Sequence, residues 1–282
     1  MQGCNSLEEG LFYLGIMIYP CFKDKVALIT GGTRGIGRQI AELLAESGAN
    51  LALVYRHDRM SAEATQAELQ RKNVAVLLIQ ADLSKEESIA EIIAQVRHRY
   101  EELDYLVSNA VFGVLKPIGE FTAKRFDIGM HANARAYLLL AQAAADLMVP
   151  PGKVGERGGG RGDPRYKRIV ALSSLGSWRV IPGYAGVGAS KAAIESLTRY
   201  LAVELAPRGI GVNAVAGGLV QTDSLKAFSE QSSWIKEQVA RTPLGRIGEP
   251  SDIAKVVVWL LSDQAAWVTG QTVIADGGLS LV

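Results

Sequence analysis

Short apolar runs rich in β-branched residues alternate along this chain with longer segments of helical periodicity. Seven runs occur: VALIT (26–30), LALVY (51–55), VAVLLI (74–79), LDYLVS (103–108), RIVALS (168–173), GVNAVA (211–216) and TVIA (272–275). The helical segments cover 37–47, 61–72, 86–100, 123–148, 184–205, 223–240 and 251–261. Apolar strands connected by helices are typical of parallel sheets covered on both faces. The pattern predicts an α/β fold in which residues 23–282 form one doubly wound domain.

The charge balance excludes a nucleic acid as partner. The sequence contains 30 Lys and Arg residues and 29 Asp and Glu residues, a net charge of +1, whereas nucleic-acid binding requires a basic face. Two cysteines, Cys4 and Cys21, cannot form a disulfide framework, which favours a reducing, cytoplasmic location. The three histidines have no ligand spacing with cysteines or carboxylates, so we predict no metal site.

Two segments fall outside the alternating pattern. Residues 1–22 contain the apolar run 11–19, which is about half the ~20 residues that a membrane-spanning helix needs. No basic residue precedes that run, as one would in a secretion signal. We expect residues 1–22 to lie outside the fold, as a stretch that results from a mis-called start site, as a loosely docked arm or as a membrane-surface anchor. The Gly- and Arg-rich stretch 150–165 has no apolar period and is predicted to be a flexible surface loop.

A glycine-rich turn, TGGTRGIG (30–37), joins the first predicted strand directly to the first predicted helix. Glycines at 31, 35 and 37 allow the backbone to turn tightly and to approach a pyrophosphate closely. The helix that follows offers free N–H groups and a partial positive charge. A glycine-rich string alone is weak evidence, because many turns favour glycine. This string joins a strand directly to a helix within an alternating strand–helix–strand pattern, which predicts a dinucleotide site.

The residues at the end of the second strand indicate which form of the adenosine ribose, with or without a 2′-phosphate, the site would bind. Sites that prefer NAD usually place Asp or Glu there to bond the 2′-hydroxyl, and this chain has Arg56. Arg34 lies in the glycine-rich turn. Two guanidinium groups near that ribose would pair with a 2′-phosphate, which predicts NADPH as the cofactor. The alternative is that both arginines are ordinary surface charges.

Several short motifs together resemble the short-chain dehydrogenase/reductase superfamily. They are the turn 30–37, Asp82, Asn109-Ala110, the region Ser174 to Lys191, Asn213, Thr222 and the closing motifs within 269–278. The resemblance covers residues 24–282. It implies a three-layer Rossmann fold around a doubly wound, mostly parallel seven-stranded sheet, a nicotinamide cofactor and a homotetramer.

The resemblance also implies roles for individual residues. It places cofactor contacts at Gly31, Thr33, Arg34, Gly35, Ile36, Gly37, Arg56, Asp82, Leu83, Asn109, Ala110, Lys191, Gly217, Val220 and Thr222. It gives catalytic roles to Tyr184, Lys191, Ser174 and Asn133. Lys191 would hold the nicotinamide ribose, and Asn133 would support a proton-relay water. Tyr184 and Ser174 would donate hydrogen bonds to the substrate oxygen.

The spacing between tyrosine and lysine departs from the usual pattern of the superfamily. Its members carry Tyr four residues before the lysine, where this chain has Val187. The nearest tyrosine is Tyr184, seven residues before Lys191. Seven residues turn a helix through about 700°, within ~20° of two full turns. Tyr184 should therefore point to the same face as Lys191, about one turn nearer the N-terminus than the usual tyrosine position.

This wider spacing resembles the enoyl-acyl-carrier-protein reductase branch, and the residues around it resemble the NADPH-dependent FabL type. The resemblance implies reduction of the trans-2 double bond of enoyl thioesters in fatty-acid synthesis, with the acyl group on acyl carrier protein or CoA. Residues 223–241 would form a lid over the acyl chain. Two alternatives stay open: a 3-oxoacyl or general carbonyl reductase that uses Ser174, and a cofactor-binding sensor without catalysis.

Overall fold

The structure is a computed structural model that describes residues 22–149, 167–223, 225 and 232–282. The predicted extension lies outside the described residues except for Phe22. The predicted loop 150–165 and most of the first half of the predicted lid also lie outside them.

All seven predicted strands are present and form a single parallel sheet. They are β1 (Val26–Thr30), β2 (Asn50–Tyr55), β3 (Val76–Gln80), β4 (Tyr105–Ser108), β5 (Lys167–Ser174), β6 (Ile210–Gly217) and β7 (Thr272–Ala275). Their order is β3-β2-β1-β4-β5-β6-β7, and each neighbouring pair is parallel. The chain direction across the sheet reverses between β1 and β4. Ligands of doubly wound folds bind at such a switch point, at the carboxyl ends of the strands.

Helices cover both faces of the sheet. They are α1 (Gly35–Glu46), α2 (Arg59–Gln70), α3 (Glu87–Tyr100), α4 (Ala123–Met130), α5 (Ala136–Met148), α6 (Ala185–Leu205), α7 (Ser232–Arg241) and α8 (Pro250–Leu261). Apolar residues of α3, α5 and α6 fill one core, and those of α1, α2 and α8 fill the other. Successive residues of β1 point into opposite cores: Leu28 points into the first core and Ile29 into the second. The predicted three-layer arrangement is confirmed.

The single helix predicted over 123–148 is interrupted. A π-helical turn, His131–Arg135, separates α4 from α5. A π turn adds a residue without ending the helix, so the apolar pattern continues through it and gives no sign of the change.

The proposed end of the N-terminal extension needs a correction. Phe22 is 0% exposed, and its ring meets the ring of Tyr105 edge-on, with the centroids 5.2 Å apart. Edge-to-face aromatic pairs are favourable beyond their area of burial. The folded core therefore begins no later than Phe22, rather than at residue 23.

No helix among the described residues combines the length and the apolar character that crossing a bilayer requires.

Candidate active site

A cleft of about 990 Å³ opens at the switch point, along the carboxyl ends of the strands. Most of the predicted site residues line it: Gly31, Thr33, Arg34, Gly35, Ile36, Arg56, Asp82, Leu83, Asn109, Ala110, Ser174, Tyr184, Lys191, Gly217, Val220 and Thr222. Gly37 and Asn133 do not line the cleft. The fold thus brings together motifs that are distant in the sequence.

The glycine-rich turn has a conformation that depends on its glycines. Gly31 and Gly35 have positive φ values of 64° and 54°, which residues other than glycine rarely adopt. A Cβ atom at Gly37 would lie 2.2 Å from the backbone oxygen of Gly31. Gly37 therefore supports the turn from behind by allowing α1 to pack against it.

The turn presents the N-terminus of α1 to the cleft. The residue before the helix, Arg34, makes no side-chain cap, so the first N–H groups of α1 are available to an anion. A Cβ at Gly35 would lie 3.6 Å from Thr222 Cγ2, which brings the loop after β6 close to the turn. This cradle fits the diphosphate of a dinucleotide.

Asn109 fixes the turn from the neighbouring strand. Its Nδ2 donates to the backbone oxygens of Thr30 and Gly31, at 2.9 and 3.1 Å. The Thr30 hydroxyl oxygen accepts from the backbone N–H groups of Asn109 and Ala110, both at 3.0 Å. The side-chain amide of Asn109 is thus already used within the protein, and the residue acts on the cleft by shaping the turn.

Arg56 and Asp82 meet at the end of the cleft where the adenosine is predicted. Arg56 Nη2 lies 2.9 Å from Asp82 Oδ2, and the Arg56 guanidinium lies 5.2 Å from the centroid of the Phe112 ring. Burial opposes ionisation of Asp82, but hydrogen bonds from Ser84 and the charge of Arg56 outweigh it, so its pKa lies below the usual value. The exposed Arg34 lines the same cleft.

Lys191 is buried on α6 beneath the cleft. Its Nζ donates to the backbone oxygen of Leu172, at 2.6 Å. Burial lowers the pKa of Lys191 to about 8, and the charge of Glu195, one turn further along the helix, opposes that shift.

Tyr184 and Ser174 form a pair of hydroxyl groups in the cleft that Lys191 also lines. Tyr184 immediately precedes α6, with φ of −94° and ψ of 2°, so the helix begins one residue later than predicted. Its side chain bonds that of Ser174, and burial raises the pKa of the phenol despite this hydrogen bond. A Cβ at Gly176 would lie 2.4 Å from the Tyr184 ring, which shows how closely the ring packs on the turn after β5.

Val187 occupies the usual position of the tyrosine and cannot donate a proton. It is buried and lines the cleft, and its Cγ2 lies 2.2 Å from where a Cβ of Gly113 would be. Tyr184, which the wider spacing singles out, is therefore the phenol next to Ser174 in this cleft.

Asn133 lies in the π turn behind the cleft. Its Oδ1 accepts from the backbone N–H of Phe112, at 2.8 Å, and its Nδ2 lies 2.9 Å from both the Phe112 oxygen and Ser190 Oγ. These bonds tie the loop after β4 to α6. The proton-relay role therefore stays a prediction, because the side-chain amide is occupied by protein groups.

Other residues of the cleft were not identified from the sequence. Phe112, which lines the cleft beneath Arg56, belongs to no motif, and neither does Glu195, which does not line the cleft but acts on the charge of Lys191. The lining of the cleft also includes apolar residues from the segment after β5 and from the predicted lid, and charged residues stand among them. The apolar ones are Val180, Ile181, Pro182, Leu225 and Trp234, and the charged ones are Arg179, Asp223, Glu237 and Arg241. Leu225 and Trp234 belong to the predicted lid. No metal-ligand cluster occurs among the described residues.

Comparisons with known proteins agree with this geometry. The family model described as enoyl-(acyl carrier protein) reductase matches residues 31–280. A solved short-chain dehydrogenase from Burkholderia cenocepacia, in complex with NADP, superposes with a TM-score of 0.81 at 29% identity. The superposition covers 92% of this chain and 99% of that one. This chain belongs to the short-chain dehydrogenase/reductase superfamily.

Two curated relatives of this chain are reductases whose names give different thioester substrates. The 1-cyclohexenylcarbonyl-CoA reductase of Streptomyces collinus is 40% identical over 262 residues, covering 92% of this chain and 88% of that protein. The 3-oxoacyl-[acyl-carrier-protein] reductase FabG of Staphylococcus epidermidis is 36% identical over 259 residues, covering 91% and 99%. Membership makes this chain an oxidoreductase; the choice of substrate needs a separate argument.

Proposed function

We propose that this chain is an NADPH-dependent enoyl-thioester reductase, which reduces the trans-2 double bond of acyl chains on acyl carrier protein or CoA in fatty-acid synthesis. The observation that carries the proposal is the displaced phenol: the buried Val187 occupies the usual tyrosine position, and Tyr184, seven residues before Lys191, lines the cleft instead. The matching family model and the relative from Streptomyces collinus support it. The name of that relative describes an acyl-CoA whose double bond is conjugated with the thioester carbonyl.

The cleft fits NADPH, which supplies a hydride when bound. The turn containing Gly31 and Gly35, with the N-terminus of α1, would hold the diphosphate. Arg34 and Arg56 would hold the 2′-phosphate.

The chain's own groups would act on the substrate oxygen. Hydride addition at C3 moves negative charge onto the thioester oxygen, where Tyr184 would donate a hydrogen bond, and protonation of the enolate at C2 would then complete the saturated thioester. The raised pKa of Tyr184 keeps its hydroxyl protonated for this role. Ser174 would be the second donor, and the Lys191 cation would favour negative charge nearby.

A 3-oxoacyl or general carbonyl reductase is the second candidate. The observation that favours it is the Ser174 hydroxyl next to Tyr184, because the same pair could polarise and protonate a ketone oxygen. The FabG relative, which this chain matches over 99% of that protein's length, supports this reading.

The substrate is tested by following NADPH oxidation with crotonyl-CoA and with acetoacetyl-CoA under the same conditions. We expect turnover of crotonyl-CoA with a kcat/KM at least about tenfold higher than that for acetoacetyl-CoA. Turnover of the keto substrate alone would establish the second candidate. Tight NADPH binding without turnover of either thioester would indicate the non-catalytic sensor.

Cofactor preference depends on Arg34 and Arg56. Replacing both with alanine should weaken NADPH binding by at least about 100-fold, because each charge-assisted hydrogen bond contributes about 1.5–3 kcal/mol and about 1.4 kcal/mol is a factor of ten. NADH, which lacks the 2′-phosphate, should bind nearly as before. Fluorescence titration of both cofactors measures this, with the exposed Arg199→Ala as the control. Equal weakening of both cofactors would show that the arginines do not bind the 2′-phosphate.

A cytoplasmic homotetramer is part of the same proposal. Tyr200 and Val203 on α6 are large, exposed side chains that subunit contacts could cover. Light scattering on the purified chain should give four times the 30.2 kDa mass of one chain.

A further inference from the structure

Glu195 connects the lysine helix to the turn that carries Ser174. It lies four residues after Lys191 on α6, so the two side chains share one face of the helix. Its Oε1 accepts a hydrogen bond from Ser173 Oγ. The same oxygen lies 2.6 Å from Ser177 Oγ. One carboxylate oxygen therefore binds a hydroxyl group on each side of Ser174.

The two serines hold the turn that positions the Ser174 hydroxyl. Ser173 is the neighbour of Ser174 in β5, and Ser177 ends the 3₁₀ turn after it. Ser177 Oγ also lies 2.8 Å from the backbone oxygen of Ser174, so its proton lies between two acceptors. Within the turn, the Gly176 N–H donates to Ser174 Oγ at 3.2 Å. Movement of either serine would therefore move the Ser174 hydroxyl.

The position of Ser174 matters because it contacts the phenol of Tyr184. Tyr184 and Glu195 lie at the start and in the middle of one rigid segment, while Ser174 belongs to the sheet. Lys191 Nζ already joins α6 to the backbone oxygen of Leu172 in β5, and the Glu195 carboxylate adds bonds on both sides of Ser174 itself. Hydrogen bonds to a carboxylate are shorter and stronger than those between neutral groups.

We infer that Glu195 is a positioning residue, which clamps the turn 173–177 to α6 and so holds the Ser174 hydroxyl against Tyr184. This inference rests on the proposed roles of Ser174 and Tyr184, and it holds whether the substrate is an enoyl or a 3-oxoacyl thioester. The charge of Glu195 also favours the protonated form of Lys191 against its burial. That charge effect is distinguishable from the clamp because glutamine keeps the accepting oxygen and removes the charge.

The test compares Glu195→Ala with Glu195→Gln in the full-length chain. Misplacing a group that contacts the substrate lowers kcat, so we expect Glu195→Ala to lose about tenfold in kcat with little change in KM. Glu195→Gln should keep at least about half of the original kcat, since it still accepts from both serines. The assay uses the thioester that the unaltered chain reduces, at a pH well below 8, where Lys191 is protonated in the unaltered chain.

A second measurement needs neither cofactor nor turnover. Amide hydrogen exchange of the segment 173–178 should be about tenfold faster in Glu195→Ala, because the turn opens locally once its clamp is lost. Glu195→Gln should exchange at the original rate. This readout separates a failure of the clamp from a wrong assignment of the reaction, which would appear in the unaltered chain.

Controls cover the case in which Glu195→Ala does not fold. Ser173→Ala with Ser177→Ala removes the two donors and leaves Glu195 in place, and it should reproduce the loss of kcat and the faster exchange. Glu204→Ala alters an exposed carboxylate on the same helix and should change neither. The proposal would be overturned if amide exchange stayed unchanged both in Glu195→Ala and in Ser173→Ala with Ser177→Ala. Equal losses of kcat in Glu195→Ala and Glu195→Gln would also overturn it.

Discussion

Replacing Tyr184 with phenylalanine should lower kcat by about 10²- to 10³-fold, the usual cost of losing one donor to a developing oxyanion. The phenol is the group that the wider spacing selects, and its hydroxyl bonds Ser174 in the cleft. Phenylalanine keeps the ring that packs on Gly176, so the turn and the fold should persist. The affinity for NADPH should change little, because the predicted phosphate contacts lie in the glycine-rich turn and at Arg34 and Arg56. Steady-state kinetics with a cofactor titration measure both quantities.

Tyr200 supplies a matched control for this substitution. It lies on the same helix and is 66% exposed, so Tyr200→Phe removes a hydroxyl outside the cleft and keeps the ring that the proposed subunit contacts would cover. We expect wild-type kinetics from that variant. If Tyr184→Phe also kept near-normal kcat, the phenol would have no part in the reaction, and the argument from its spacing would fail.

The strands could be predicted from the sequence because each is buried on both faces of the sheet and therefore consists of a short run of apolar residues. VALIT (26–30) and TVIA (272–275) agree with β1 and β7 to the residue, and the others differ by one or two residues at one or both ends. The predictions were wrong where a tertiary contact determines the bounds of the core or the form of a helix. Phe22 belongs to the core through Tyr105, and the π turn around Asn133 is held by the backbone of Phe112. Neither contact leaves a local pattern.

The candidate site divides in the same way. Its motifs are local strings, so the amino-acid sequence alone was enough to identify the glycine-rich turn, Tyr184 and Lys191. The partners of those residues could not be identified in this way, since Arg56 meets Asp82 and Ser173 meets Glu195 only after folding. The helix predicted from the sequence includes Tyr184, whereas in the structure Tyr184 precedes the first helical residue. It still lines the cleft with Lys191, because the residue before a helix is already close to the helical path.

Replacing Asp104 with alanine should destabilise the fold by about 3–5 kcal/mol, the usual cost of leaving a buried ion without its partner. Asp104 is 4% exposed and Lys167 is 1% exposed. Asp104 Oδ1 lies 2.8 Å from Lys167 Nζ and 3.4 Å from Lys25 Nζ, and Oδ2 accepts from the backbone N–H of Val26 at 2.8 Å. Without the carboxylate, Lys167 Nζ keeps the backbone oxygen of Leu103 as partner but has no counter-charge in the core. Urea denaturation measures the change.

The exposed Asp127→Ala is the control and should change stability by less than about 0.5 kcal/mol. The double variant Asp104→Leu with Lys167→Met tests the cause, because an apolar pair of similar volume often replaces a buried ion pair at little cost. It should therefore be more stable than Asp104→Ala. A loss below about 1 kcal/mol in Asp104→Ala would mean that water reaches Lys167. Since this cluster lies at the amino ends of β1, β4 and β5, opposite the cleft, Asp104→Ala should keep its cofactor affinity below its melting temperature.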